Sequence, residues 1–273
     1  MKAAMCNALS SVFVVLSVGI LGVLTGCGGS LSLSPGTPAS SYPTMTGNWT
    51  LIGESQVIGN PWLAGGYLTN TNGSVSGTIH MLNSSCYLLS QDIPVTGTVT
   101  TASITTAGTI SLTSSSVSGQ GISVKGTIAA GGSEEVLEGS YTIAGGCAAG
   151  DKGTVEGMTV PSYTNTYSGT FVSVSKISVP VSMTIAQTGP NSDGIYQATG
   201  SANFTGSNCF STATISSSEI LGDYMAITMA TNSGGSVSFI GEVVDTNGTL
   251  AGNYQVTAGT CVGDYGTGTL SHP

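Results

Sequence analysis

The chain has 273 residues, with 13 acidic side chains, 4 lysines and no arginine, for a net charge of −9. Nucleic-acid binding depends on neutralising phosphates with Lys and Arg, so nucleic acid is excluded as a partner, and an anionic membrane surface is repelled as well. Charged residues are only 6% of the chain, and Ser, Thr, Asn and 41 glycines take their place, which points to turns and hydroxyl-covered strands rather than to apolar membrane helices.

In chain order, the first segment reads as a processing signal. Ser11 to Leu24, SVFVVLSVGILGVL, is an apolar run of 14 residues, short against the roughly 20 of a membrane helix and within the roughly 7–15 of a signal core. Leu24-Thr25-Gly26-Cys27 follows it and resembles the lipobox of bacterial lipoproteins. The resemblance implies cleavage before Cys27, which carries diacylglycerol on its sulfur, together with fatty acyl chains of the palmitate type. Gly28, rather than aspartate, comes next, which in that family favours the outer membrane. Residues 1–26 are then a lipoprotein signal peptide and 27–46 a flexible tether, rich in Gly and Ser and partly stiffened by Pro35, Pro38 and Pro43. With Lys2 removed, Lys125, Lys152 and Lys176 face 13 acidic residues, a net −10, so attachment to the membrane rests on the lipid.

The rest of the chain says things twice. Gly139 to Thr154, GSYTIAGGCAAGDKGT, matches Gly252 to Thr267, GNYQVTAGTCVGDYGT, at Tyr141/Tyr254, Asp151/Asp264 and several glycines. Upstream, Gly77 to Tyr87 parallels Gly200 to Phe210, with Cys86 and Cys209 at matching places. The openings at Gly47 and Gly169 agree loosely. Four cysteines allow three pairings; the repeat makes pairing within each half the economical one, Cys86–Cys147 and Cys209–Cys261. The halves are assigned as β domain 1 over 47–160 and β domain 2 over 168–271, with 161–167 as linker.

Within each half apolar residues alternate. Ile110 and Leu112, Ile122 and Val124, Val181, Met183 and Ile185, and Met225, Ile227 and Met229 each fall on one face of a strand. Asn72-Gly73, Asp193-Gly194 and Asn247-Gly248 are hairpin signals. The expected fold is all-β: two tandem small antiparallel β-barrels, lipocalin-like in a loose sense, or β-sandwiches, with one disulfide in each. A transmembrane β-barrel is the alternative architecture.

Groups for chemistry are sparse. His80 is the one histidine away from the end of the sequence, and its repeat counterpart is Asn203, so it reads as structural. Asp151 and Asp264 read as turn residues bonding their own backbone. Glu134, Glu135 and Glu138 read as solvated turn charge. No cofactor or metal site is implied by the spacing of His and Cys. Trp62 and Tyr67, in NPWLAGGY, have no clear counterpart in the second half and are the candidate ligand contacts, for a glycan or a small apolar molecule. The expected function is a lipid-anchored envelope lipoprotein that binds or displays without catalysis. The alternatives are a carrier of a small apolar ligand inside a barrel and a carboxylate-dependent polysaccharide hydrolase.

Overall fold

The computed structural model describes residues 41–57, 61–103, 106–129, 136–244 and 248–272. The first half comprises β1 (Gly47–Ser55), β2 (Trp62–Thr71), β3 (Ser74–Asn83), β4 (Asp92–Val99), β5 (Gly108–Ser114), β6 (Gly121–Ile128), β7 (Val136–Ala144) and β8 (Lys152–Val160). The second comprises β9 (Asn165–Ser173), β10 (Ser178–Gln187), β11 (Ala198–Phe204), β12 (Thr212–Leu221), β13 (Tyr224–Thr231), β14 (Ser236–Val243), β15 (Leu250–Ala258) and β16 (Tyr265–Ser271). Within each half every strand pairs antiparallel with its sequence neighbours, and β1 with β8 and β9 with β16 close two separate barrels. Closure removes the exposed edges that a sheet with little charge could not otherwise protect.

The strand faces are those that alternation requires. Ile110, Leu112, Ile122, Val124, Val181, Met183, Ile185, Met225, Ile227 and Met229 are all buried inside. Outside stand mostly hydroxyls, amides and the few charges, with Val136, Met158, Val172, Ile240 and Tyr265 scattered among them. This is the reverse of a lipid-embedded barrel, whose outer wall is apolar and whose lumen is polar. The first core holds Trp49, Trp62 and Tyr141, with Trp62 edge-on to Tyr141 at 5.2 Å. The second holds a stack, Phe171 lying 4.8 Å from Tyr254 and 5.5 Å from Phe239. Different aromatics thus fill the same scaffold.

Connections alternate between the two ends of an up-and-down barrel. Cys86, after β3, and Cys147, after β7, form a disulfide across one end of the first barrel; Cys209, after β11, and Cys261, after β15, do the same in the second. They close loops of 61 and 52 residues, each worth roughly 4 kcal/mol in a chain-entropy account. At the same end a tyrosine ties down the last hairpin. Tyr141 Oη donates to Asp151 Oδ2 at 2.9 Å and Tyr254 Oη to Asp264 Oδ2 at 3.1 Å. These aspartates therefore do not bond their own turn backbone as expected: the preceding strand places a phenol within reach, and Ser55 Oγ fills the other oxygen of Asp151 at 2.6 Å. Burial, with the Asp264 charge behind it, pushes the Tyr254 phenol up to about 12.

Two further expectations change. β9 starts at Asn165, inside the segment 161–167 expected as linker, because Tyr163 and Tyr167 are buried in the second core. The openings at Gly47 and Gly169 are not equivalent. Thr154 pairs with Glu54 and Thr267 with Val172, so Trp49 corresponds to Tyr167 and Leu51 to Gly169. Both aromatics anchor the same way: Trp49 Nε1 donates to the Met45 carbonyl and Tyr167 Oη to the Tyr163 carbonyl, each four residues back.

Candidate functional site

β2 carries the two aromatic candidates, and strand alternation sends them apart. Trp62 points into the first barrel, 4% exposed. Tyr67, five residues on, points out and meets Tyr196 of the second barrel edge-on at 5.8 Å. The two cannot hold one ligand between them, and the outward face of this segment is a floor on which the second barrel stands.

The floor is built from β1, β2 and β3. Between β12 and β13 lies a two-residue turn, Gly222-Asp223, with Gly222 at φ +61°. Asn48 donates through Nδ2 to the Gly222 carbonyl at 2.8 Å and accepts from the Gly222 N–H at 2.7 Å. Thr50 Oγ1 accepts from the Asp223 N–H at 2.8 Å and donates to Asp223 Oδ1 at 3.0 Å. Gly65 lies directly beneath, where a Cβ would run into the Leu221 carbonyl. On β3, fully buried His80 donates through Nε2 to the Asp193 carbonyl at 2.9 Å. Its Nδ1 sits 2.9 Å from Asp92 Oδ1, near but not aligned as a hydrogen bond. Asp193-Gly194 is therefore no tight hairpin; it belongs to a longer loop, organised by the Asn191 side chain, that reaches across to His80.

By the register of the paired strands, Asn48, Thr50, Gly65, Tyr67 and His80 correspond to Thr166, Ser168, Ser182, Thr184 and Asn203. The loss of likeness at NPWLAGGY and at His80 thus marks the docking floor. The contact runs one way, from an end of the second barrel to the wall of the first.

Beside this clamp a cleft of about 520 Å³ opens between the barrels. Met158 and Val160 of β8 form one wall, and Tyr163, Tyr167, Asp223 and His272 the other. Tyr163 Oη donates to the Asp223 carbonyl at 2.6 Å, and His272 stands edge-on to Tyr167 at 5.5 Å. Burial raises the Asp223 carboxyl, more than Thr50 and the residue's own N–H lower it. Burial likewise raises the Tyr163 phenol, with the Asp223 charge adding to it.

Two other places bear on binding. Inside the first barrel a void of about 10 Å³ remains among Leu51, Trp62 and Ile79, about enough for one water. On the outer wall of the second barrel a concave surface of about 560 Å³ runs over β14, β15 and β16, with Ile240, Asn253, Gln255 and Tyr265. Ile240 and Tyr265 occupy the places that Lys125 and Lys152 hold in the first barrel.

The remaining carboxylates do not gather. Glu138 faces Glu156 across β7 and β8 on the exposed wall, while Glu134 and Glu135 lie outside the described residues, as do Cys27 and Asn247. Among the described residues, no group of three or more His, Cys, Asp or Glu converges on one point. The chain matched no family model, no curated protein and no solved structure.

Proposed function

We propose that the chain is a lipid-anchored lipoprotein of the cell envelope, held at the outer membrane through Cys27, that acts as a non-catalytic binding or display module. The observation that carries this reading is the filled interior. A void of about 10 Å³ lies among Leu51, Trp62 and Ile79, while spaces of about 520 and 560 Å³ open on the outside, which favours contact at the outer walls and the cleft. The aromatic filling of the first core, Trp49, Trp62 and Tyr141, supports this reading over a carrier of an apolar ligand within that barrel. The two disulfides suit an oxidising compartment outside the cytoplasm. The wall of β14–β16, where Tyr265 stands beside the Gln255 amide and carries no formal charge, suits a neutral glycan.

Native mass spectrometry of the full-length chain, extracted in mild detergent from its own envelope, tests the reading. A chain beginning at Cys27 with three acyl groups and two disulfides is expected. A chain beginning elsewhere, with the Cys27 thiol free, would overturn the anchor.

A further inference from the structure

We propose that the cleft between the barrels binds a small organic cation, an amine or quaternary ammonium borne on an apolar body. The proposal rests on the binding half of the reading above and is independent of the anchor. The cleft's 520 Å³ lies within the roughly 300–1,000 Å³ of small-molecule sites, which favour domain boundaries. Met158, Val160 and the tyrosine rings of Tyr163 and Tyr167 give it an apolar and aromatic lining.

Among the described lining residues, Asp223 brings the carboxylate. Asp223 Oδ1 accepts from Thr50 Oγ1, and no other side chain among the described residues donates to this carboxylate. No lysine lines the cleft: Lys125 and Lys152 stand on the first barrel's wall, and Lys176 follows β9 at the opposite end of the second barrel. Among the described residues no lysine therefore stands beside the charge of Asp223, and burial disfavours that charge.

The clamp itself does not need that charge. Its bonds to Gly222 and Asp223 use backbone N–H and carbonyl groups, and an asparagine at 223 could accept from Thr50 Oγ1 equally well. A cation seated against the carboxylate would offset this half-buried charge, with its apolar body against Met158 and Val160. His272, edge-on to Tyr167, completes the wall.

The test uses the full-length chain in a non-ionic detergent, with benzyltrimethylammonium as probe and benzyl alcohol as its neutral comparison, titrated calorimetrically. The expected result is saturable binding of the cation at least tenfold tighter than of the alcohol. Asp223→Asn should weaken the cation at least tenfold and leave the alcohol unchanged. Met158→Trp, on an exposed wall position, should fill the cleft and abolish both. Equal affinity for cation and alcohol, binding unaffected by either variant, or no binding at millimolar probe would overturn the proposal. The mass of the same sample separates the two readings: a lipidated chain that ignores the cation sinks the cleft alone, and a binding chain without lipid sinks the anchor alone.

Discussion

Asn48 makes, with one amide, the pair of hydrogen bonds that two strands exchange across a ladder, because it donates to the carbonyl and accepts from the N–H of the same residue, Gly222. Both groups of Gly222 are buried, so removing the amide strands the N–H and leaves the carbonyl only the Tyr163 hydroxyl at 3.4 Å. Asn48→Ala should cost about 2–4 kcal/mol, and urea unfolding followed by Trp and Tyr fluorescence should show the second barrel separating from the first. The tyrosine ties allow a paired comparison. Tyr141→Phe deprives Asp151, which is 4% exposed, and should cost about 1.5–3 kcal/mol. Tyr254→Phe should cost less, since Asp264 is half-buried and can turn to water. Asp223 gives a pH signature. Its folded carboxyl titrates above the unfolded one, so its contribution is fully present below the unfolded pKa and is lost as pH rises through the folded pKa. Asp223→Asn should therefore raise the thermal midpoint near pH 7 and make almost no difference near pH 3, as a calorimetric series across pH would show.

At the level of elements, β2 is where the two halves part company. Its inward residues repeat the common core, while its outward residues receive the other barrel. Gly65→Ala tests this, since its Cβ would meet the Leu221 carbonyl. Ser182 at the corresponding place shows that the wall itself accepts a side chain. Small-angle scattering should therefore find an extended, hinged molecule with both barrels intact. How much was legible follows from what each element asks of its residues. The strand faces could be read because a half-buried strand must alternate, as Val181, Met183 and Ile185 do. The disulfide pairing could be read because the sequence repeats. The clamp could not, because its second-barrel partners are, the Asp223 carboxylate apart, backbone atoms of Gly222, Asp223 and Asp193, which any residue possesses. The trace it left was negative: a glycine, Gly65, and a histidine, His80, where the repeat has Ser182 and Asn203. Gly47 and Gly169 misled for the opposite reason, since a glycine two residues before an aromatic recurs in any barrel with small and large residues alternating.

For the whole molecule the balance of charge and contact is unusual. A chain at net −9 repels itself, yet the bonds that join its barrels run between neutral groups, apart from the Asp223 carboxylate. Salt should thus leave the junction in place: between roughly 0.05 and 1 M, where the screening length falls below 10 Å, the scattering profile should not change. The junction also joins unlike surfaces, an end to a wall. Contacts of that kind have no natural last member, because each added unit brings a fresh wall for the next, and they generate fibres unless something caps them. Here the cap is written into the second repeat. Ser182, Thr184 and Asn203 stand where a further unit would look for Gly65, Tyr67 and His80, so the wall of the second barrel lacks the seat that the first one offers.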